Sequence, residues 1–354
     1  MAEMRCSMNS NLKNKKIYNK MVITRYKKIT SMGRSLRGIA ALVIIIFYVS
    51  SAQASRSAAG PVKLILHPSE FPESGRKYRL LPKVEELADA DAAPLYEKAI
   101  QSLPGDLKMD EIEQWLKTPP EELPRKEVQS ILQQLDPALE LLEQAARCMR
   151  CEWPYLYDDE LSENLRKHRR LLFFLALKVR FQISQGRYDD AIGAAQSGFA
   201  MAKHLGDDPV LIRGLVGIGI AAYMCRQLEQ FVQGPDAPNL YQALRELPQS
   251  LIDLTRQAEW EEPDTKEKVC SLMNRLNRHV AVLQCIEAIR LYAGSNGGKF
   301  PEKLSDVTDI KIPLDPVTKK PFLYKSTDSE AVLELEGTEG SDGRDAVRYE
   351  LKLK

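Results

Sequence analysis

The feature that most limits the possible folds is a helical pattern of apolar residues from Ala92 to Tyr292. Apolar side chains recur every three or four positions, which is typical of amphipathic helices. Pro94 suits the first turn of one helix, and Gly206-Asp-Asp-Pro209 suits the end of one helix and the start of the next. The segment after Pro209 is apolar nearly all round as far as Met224, which indicates the buried centre of a bundle. The sequence therefore predicts a mainly α protein built as an antiparallel helical bundle.

Proline, glycine and capping residues set the predicted helix boundaries. One helix is predicted from about Asn164 to Ser184, another from about Tyr188 to Leu205, and a long one from about Asp264 to Tyr292. Pro137 interrupts an apolar stripe that begins at Val128. Because proline lacks a backbone N–H and its ring crowds the preceding turn, we expect Pro137 to kink or split that helix.

The character of the chain changes after Ala293, where glycines and Pro301 break the helical pattern. Three β-type runs follow at 322–324, 331–335 and 346–353, and the last alternates as a half-buried strand does. We expect a small α+β module built on the long preceding helix. Short extended segments are also expected at 62–66 and 78–81. The predicted organisation is a leader at 1–54, an irregular lead-in at 55–91, a helical region at 92–263 and a C-terminal module at 264–354.

The N-terminal segment has the features of a secretory signal peptide. Arg34 and Arg37 precede an apolar run from Ile39 to Val49, and Ala52-Gln-Ala54 follows. A basic region, a short apolar region and an A-x-A end are what a signal peptidase recognises. The apolar run is shorter than the ~20 residues that a membrane-spanning helix needs. We therefore expect export to the periplasm or cell envelope, or secretion, with membrane anchoring only if the leader stays uncleaved.

The charge balance differs between the leader and the rest of the chain. The whole chain has 50 Lys and Arg residues against 49 Asp and Glu, and residues 1–54 hold ten of the basic residues and one of the acidic ones. Cleavage after Ala54 therefore leaves a chain with a net charge of −8. Because phosphate binding needs a basic surface, an acidic mature chain excludes a nucleic-acid partner.

The sharpest local pattern for chemistry is the C-x-x-C motif Cys148-Met-Arg-Cys151. A zinc site would need further cysteines or histidines at suitable spacing, and thioredoxin-like chemistry would need a βαβ context. We predict a structural disulfide at a helix end, with free buried thiols and a redox dithiol as alternatives. The sequence has no H-E-x-x-H, G-x-S-x-G or Walker motif, so no catalytic residues, cofactor or resident metal are predicted.

The segment Leu175–Pro209 resembles a tetratricopeptide repeat. Gly186, Tyr188 and Ala191 match the positions of a tight turn, an aromatic wedge and a small residue where two helices touch. The repeat period of that family is ~34 residues, and its units stack as helical hairpins. The resemblance implies helical hairpins that present a groove to a protein or peptide.

A second segment, 279–324, resembles the globular head of the major pseudopilin of type II secretion. There a long helix leads into a Y-P loop, a D-P turn and a short β-meander. The matching residues here are Tyr292, Pro301, Asp315, Pro316 and Tyr324. Because Val43 stands where pseudopilins carry an essential Glu, the resemblance implies a head-like module on another body.

Some pseudopilin heads bind calcium in their final loop. Glu339, Asp342 and Asp345 supply the oxygen ligands that such a site would need here. We favour an acidic hairpin turn for this segment and keep calcium as the alternative.

The order of leader, helical region and β-containing end resembles that of uncharacterised bacterial exported proteins, a resemblance that implies no activity. We therefore predict an exported, non-catalytic helical protein that binds or scaffolds a protein or peptide. An accessory role in a secretion or pseudopilus-like machine is one alternative. An enzyme with a cleft site that carries no local motif is another.

Overall fold

The computed structural model describes residues 60–71, 78–154, 156, 158–254, 263–337 and 346–354. The predicted leader and the calcium candidates Glu339, Asp342 and Asp345 lie outside these residues.

The described part of the chain is mainly helical with a small sheet region, as the sequence predicted. In chain order its helices are α1 Ala93–Gln101, α2 Met109–Trp115, α3 Arg125–Ala146, α4 Asp158–Ser184, α5 Tyr188–Gly206, α6 Leu211–Phe231, α7 Tyr241–Arg245 and α8 Pro263–Ser295. Its strands are β1 Val62–Leu66, β2 Ala88–Asp91, β3 Cys148–Arg150, β4 Leu323–Ser326, β5 Glu330–Leu335 and β6 Val347–Leu353.

Helix α6 lies at the centre of the bundle, packed against α4, α5 and α8. Its apolar residues are buried on nearly every side, as the sequence indicated. Gly217 allows a close approach, since a Cβ atom there would lie 2.6 Å from the backbone oxygen of Ala202 on α5. Among the helices of the described residues, one is long and apolar enough to cross a membrane. This helix is α6, and most of it is buried inside the bundle.

Helix α3 is not split at Pro137, which corrects one of the two expected effects of this proline. The helix runs without interruption from Arg125 to Ala146. Pro137 is exposed, so water can reach the carbonyl group that the missing N–H leaves without a helical partner. Val128, Leu135 and Leu142 are buried on the opposite side, and their packing stabilises the helix across the proline.

The C-terminal sheet has four strands in the order β1-β6-β5-β4. The β4, β5 and β6 strands pair antiparallel, close to the three predicted runs. Strand β1 pairs in parallel with β6, with Val62 opposite Tyr349 and Leu66 opposite Leu353. The predicted lead-in therefore contributes a strand to the C-terminal module, whereas its segment 78–81 forms no strand.

The sheet covers the C-terminal half of α8. Leu66, Leu333 and Tyr349 on its inner face pack with Ile286 and Ile289 of the helix. On the outer face, charged side chains of neighbouring strands form exposed ion pairs.

A buried polar network ties α8 to both parts of the protein. The Arg290 guanidinium donates to the carboxylate of Glu287 at 2.7 Å, to the backbone oxygen of His67 at 2.9 Å and to that of Ala237 at 2.8 Å. Asn239 also donates to Glu287, at 2.7 Å. The Glu287 and Arg290 side chains are fully buried, so this network holds the end of β1 and the segment before α7 against one face of α8.

Candidate functional site

An open concavity lies between α3, the C-terminal end of α4 and the N-terminal half of α5. We call it the α3–α5 groove, and its volume is about 510 Å³. Polar and charged side chains dominate its surface. Its lining residues are Gln129, Leu132, Gln133, Asp136, Leu139, Glu143, Ala146, Arg147, Lys178, Phe181, Gln182, Arg187, Asp189, Asp190, Gly193, Gln196 and Ser197.

Two ion pairs cross or border the groove. Lys178 on α4 donates to the Glu143 carboxylate on α3 at 2.8 Å, and Arg187 lies 3.8 Å from the carboxylate of Asp190. Two further charges of the groove are Asp136, in the middle of α3, and Arg147, immediately after the last residue of that helix. Neither is ion-paired with another residue that the structure describes.

One buried carbonyl group of a groove residue lacks a partner. The Gln182 side chain is 8% exposed, and its Oε1 accepts no hydrogen bond from the described chain. A buried acceptor without a donor costs roughly 1–3 kcal/mol, so Gln182 Oε1 is a position where a bound donor would add stability.

Gly193 lies inside α5 where the helix faces the groove. A Cβ atom at this position would have no other atom within 4 Å, so no neighbouring helix requires a glycine here. Glycine in a helix interior is destabilising by roughly 0.5–1 kcal/mol relative to alanine. The lack of a side chain at 193 deepens the groove and lowers the stability of the helix.

A second, more apolar cavity of about 370 Å³ lies beside the C-terminal end of α3. Leu80, Val84 and Met149 line it together with residues of α5 and α7, and Val84 and Met149 are among the exposed large hydrophobic residues. His204 and Cys148 also contribute to its lining.

Behind this cavity lies a buried cluster of aromatic and imidazole rings. Tyr96 and Trp153 stack with ring centroids 5.2 Å apart, and the Tyr96 hydroxyl lies 2.8 Å from Nδ1 of His204. Nε2 of His204 lies 3.3 Å from the backbone oxygen of Cys148, which can only accept. His204 is therefore neutral with its proton on Nε2, and burial lowers its pKa.

His168 belongs to the same cluster and is fully buried. Its ring meets Trp153 edge-on at 4.7 Å, and its Nδ1 lies 2.7 Å from the backbone oxygen of Asn164. Burial lowers the pKa of His168 to about 4. The neutral imidazole therefore packs as a core residue and is in no position to exchange protons with the α3–α5 groove.

Cys148 and Cys151 are not linked to each other in the structure, and the predicted disulfide between them stays a prediction. Cys148 lies in β3 at the end of α3, and its thiol donates to the backbone oxygen of Gln144. Burial and the nearby Asp91 carboxylate raise the pKa of both thiols. Because the thiolate is the reactive form, neither cysteine is an activated nucleophile.

The three residues of the repeat-like segment lie together at one helical hairpin. Gly186 has a φ angle of +67° and makes the turn between α4 and α5. The Tyr188 ring packs against Phe231 of α6, and its hydroxyl donates to the backbone oxygen of Pro235. Ala191 is fully buried where α5 meets its neighbours. Gly186 and Tyr188 position the start of α5, and with it one wall of the groove.

The residues of the head-like segment lie in the C-terminal module. Tyr292 is partly buried at the end of α8, and Tyr324 lies in β4 beside the inner face of the sheet. The backbone oxygen of Pro301 accepts a hydrogen bond from Ser326 at 2.7 Å.

The predicted D-P turn is anchored to α8. Asp315 accepts hydrogen bonds from the backbone of Val317 and Thr318, immediately after Pro316, and lies 2.8 Å from the guanidinium of Arg278. These side chains organise the module and are not among the residues that line the α3–α5 groove.

No cluster of His, Cys, Asp and Glu suited to a metal ion occurs in the described parts of the chain. No family model matches this chain, and neither a curated protein nor a solved structure matches it. The resemblances to tetratricopeptide repeats and to pseudopilin heads therefore stay predictions.

The sequence predicted a groove between helices and missed the residues that characterise it. Gln182 carries no sequence signal, since a glutamine in a helix is ordinary. Gly193 could have been recognised from the sequence as a candidate functional residue, because an isolated glycine inside a helical pattern lowers helix stability and usually has a packing or functional role.

Proposed function

We propose that the protein is an exported, non-catalytic helical protein that holds a protein or peptide segment in the α3–α5 groove. The observation that carries this proposal is the open polar groove with the unpartnered, buried carbonyl of Gln182. An occupant that donates a hydrogen bond to Gln182 would remove the cost of that carbonyl. Export is proposed from the leader sequence at 1–54.

The charges of the groove support binding more than catalysis. Lys178 is neutralised by Glu143, and Arg187 lies beside Asp190, so these groups do not converge on one reacting atom. The two thiols of the C-x-x-C motif have raised pKa values and lie outside the groove. A small-molecule enzyme site is expected to be a more enclosed and more apolar cavity with a few convergent polar groups.

A second candidate function is an accessory role in a secretion or pseudopilus-like machine. The C-terminal module favours it, because Asp315 anchors the predicted D-P turn to the long helix through Arg278. In this alternative the module would dock to an envelope structure while the bundle presents its groove.

Site-specific photo-cross-linking in intact cells tests the first proposal. A benzophenone amino acid replaces Gln133, which lines the groove, or Gln134, an exposed neighbour on the same helix that does not line it. We expect a protein or peptide adduct at position 133 and a much weaker one at position 134. Equal labelling at both positions, or none at 133, would refute occupancy of the groove.

Export is tested on the same cells. N-terminal sequencing of the cell-derived protein should begin at or near Ser55. Recovery from the cytosol of protein with an intact N-terminus would refute the proposed export.

A further inference from the structure

We infer that the occupant of the α3–α5 groove is an extended peptide segment with a basic and an acidic group about five residues apart. The inference rests on the proposed function and adds the chemistry of the ligand. Three features carry it: the spacing of Asp136 and Arg147, the buried carbonyl acceptor of Gln182, and the open space above Gly193.

The charges set the length and the polarity of the ligand. Asp136 in α3 and Arg147 just after its end both line the groove, and each helical residue advances ~1.5 Å, so the two positions are about 16 Å apart. An extended chain advances ~3.3 Å per residue and covers that distance in about five residues. A basic side chain or an amino terminus suits the Asp136 end, and an acidic side chain or a terminal carboxylate suits the Arg147 end.

The buried carbonyl group of Gln182 suits the backbone of a peptide. Oε1 of Gln182, on the α4 wall of the groove, is a buried acceptor that receives no hydrogen bond from the described chain. A peptide backbone offers an N–H donor at each residue other than proline. A buried acceptor that gains a donor on binding contributes to affinity, and a ligand without backbone donors would leave it unsatisfied.

Gly193 provides the room for that backbone. Because a Cβ atom there would meet nothing within 4 Å, the space above the helix is not filled by the protein itself. A side chain at 193 would project into the path of a bound segment. Glycine at a position that favours alanine for stability is expected where another backbone approaches closely.

The experiment uses the full mature chain and a display library of random octapeptides, followed by affinity measurements with the selected peptides. We expect the selected sequences to carry a basic and an acidic residue about five positions apart. Gly193→Leu should weaken the selected peptides at least about tenfold, because leucine occupies the groove. Gln182→Leu should weaken them about tenfold, the size of one lost hydrogen bond of ~1.4 kcal/mol.

Thermal unfolding separates binding from folding. Gly193→Leu and Gln182→Leu should unfold at the same or a higher temperature than the wild type, since each removes a locally unfavourable feature. Gly105→Leu is the matched control, because Gly105 also has nothing within 4 Å of its Cβ position and lies outside the groove. This control should leave peptide affinity unchanged.

The outcomes distinguish this inference from the proposed function. Selected peptides that bind Gly193→Leu as well as the wild type would overturn the inference by placing the site elsewhere. Selection without the charge spacing, or no selection at all, would also overturn it. If Gln133 still cross-links in cells in any of these cases, the proposed function stands and only the peptide chemistry is wrong.

Discussion

The buried ion pair of α8 offers a sharp test of how this fold is held together. Glu287 and Arg290 are both fully buried, and the guanidinium is surrounded by one carboxylate and the backbone oxygens of His67 and Ala237. Substituting Glu287→Gln removes the negative charge and keeps the size and an amide oxygen for Asn239. Arg290 then stays charged in the interior with neutral acceptors only.

The expected loss follows from this geometry. Removing one partner of a buried pair typically costs ~3–5 kcal/mol, because the remaining charge is desolvated without compensation. The two carbonyl hydrogen bonds of Arg290 survive the change, so we expect a loss near ~3 kcal/mol. A whole domain is stable by only ~5–15 kcal/mol, and the effect should therefore be large in proportion.

Equilibrium unfolding in urea, followed by far-UV circular dichroism, measures this loss. Glu163→Gln is the matched control, because Glu163 and Arg166 have the same spacing on α4, lie 3.0 Å apart and are exposed. An exposed pair contributes ~0–1 kcal/mol. If Glu287→Gln costs no more than Glu163→Gln, the pair does not stabilise the junction between the bundle and the sheet, and the argument from burial is wrong.

Three further predictions concern the C-terminal module, pH and the thiols. Truncation after Gly294 should cause aggregation or a markedly lower melting temperature, because it uncovers α8 and leaves β1 without β6; unchanged melting would mean that the module is independent. Between pH 6.5 and about 4, His168 binds a proton in the unfolded state but not in the folded state, so the free energy of unfolding should fall by about 3 kcal/mol as the pH decreases. In unfolding measurements at a series of pH values, His168→Gln should remove this contribution of His168 to the pH dependence. Alkylation of denatured, non-reduced protein should label both Cys148 and Cys151, as measured by mass spectrometry. If neither cysteine is alkylated, the two are joined by the disulfide that the sequence predicts.

Local features of the sequence predicted most of the helices and strands. The helix predicted to end at Ser184 and the one predicted to begin at Tyr188 have those ends in the structure. Gly186 makes the turn because its positive φ angle suits a residue without a Cβ. The alternation of apolar and polar residues at the C-terminus predicted β6 to within a residue. Periodicity and turn chemistry act within a few residues, so they can be recognised without knowing the partners.

The failures lie where distant residues decide the outcome. Pro137 has the local chemistry of a helix breaker, yet packing of the buried face keeps α3 continuous. The predicted lead-in at 55–91 was expected to be irregular, yet its segment Val62–Leu66 forms a strand of the C-terminal sheet. Local propensity is weaker than the sum of many tertiary contacts, which routinely override it.

The sequence by itself determined that the chain is mainly helical with β-strands near its C-terminus. Only the tertiary structure brought β1 beside β6, since nothing within residues 62–66 specifies a partner almost three hundred positions away. Tertiary packing also decided that Glu287 and Arg290 are buried together and that Gln182 and Gly193 face one groove. Helix and strand patterns arise from neighbouring residues, whereas burial, desolvation and the shape of a binding surface arise from residues that meet only in the folded chain.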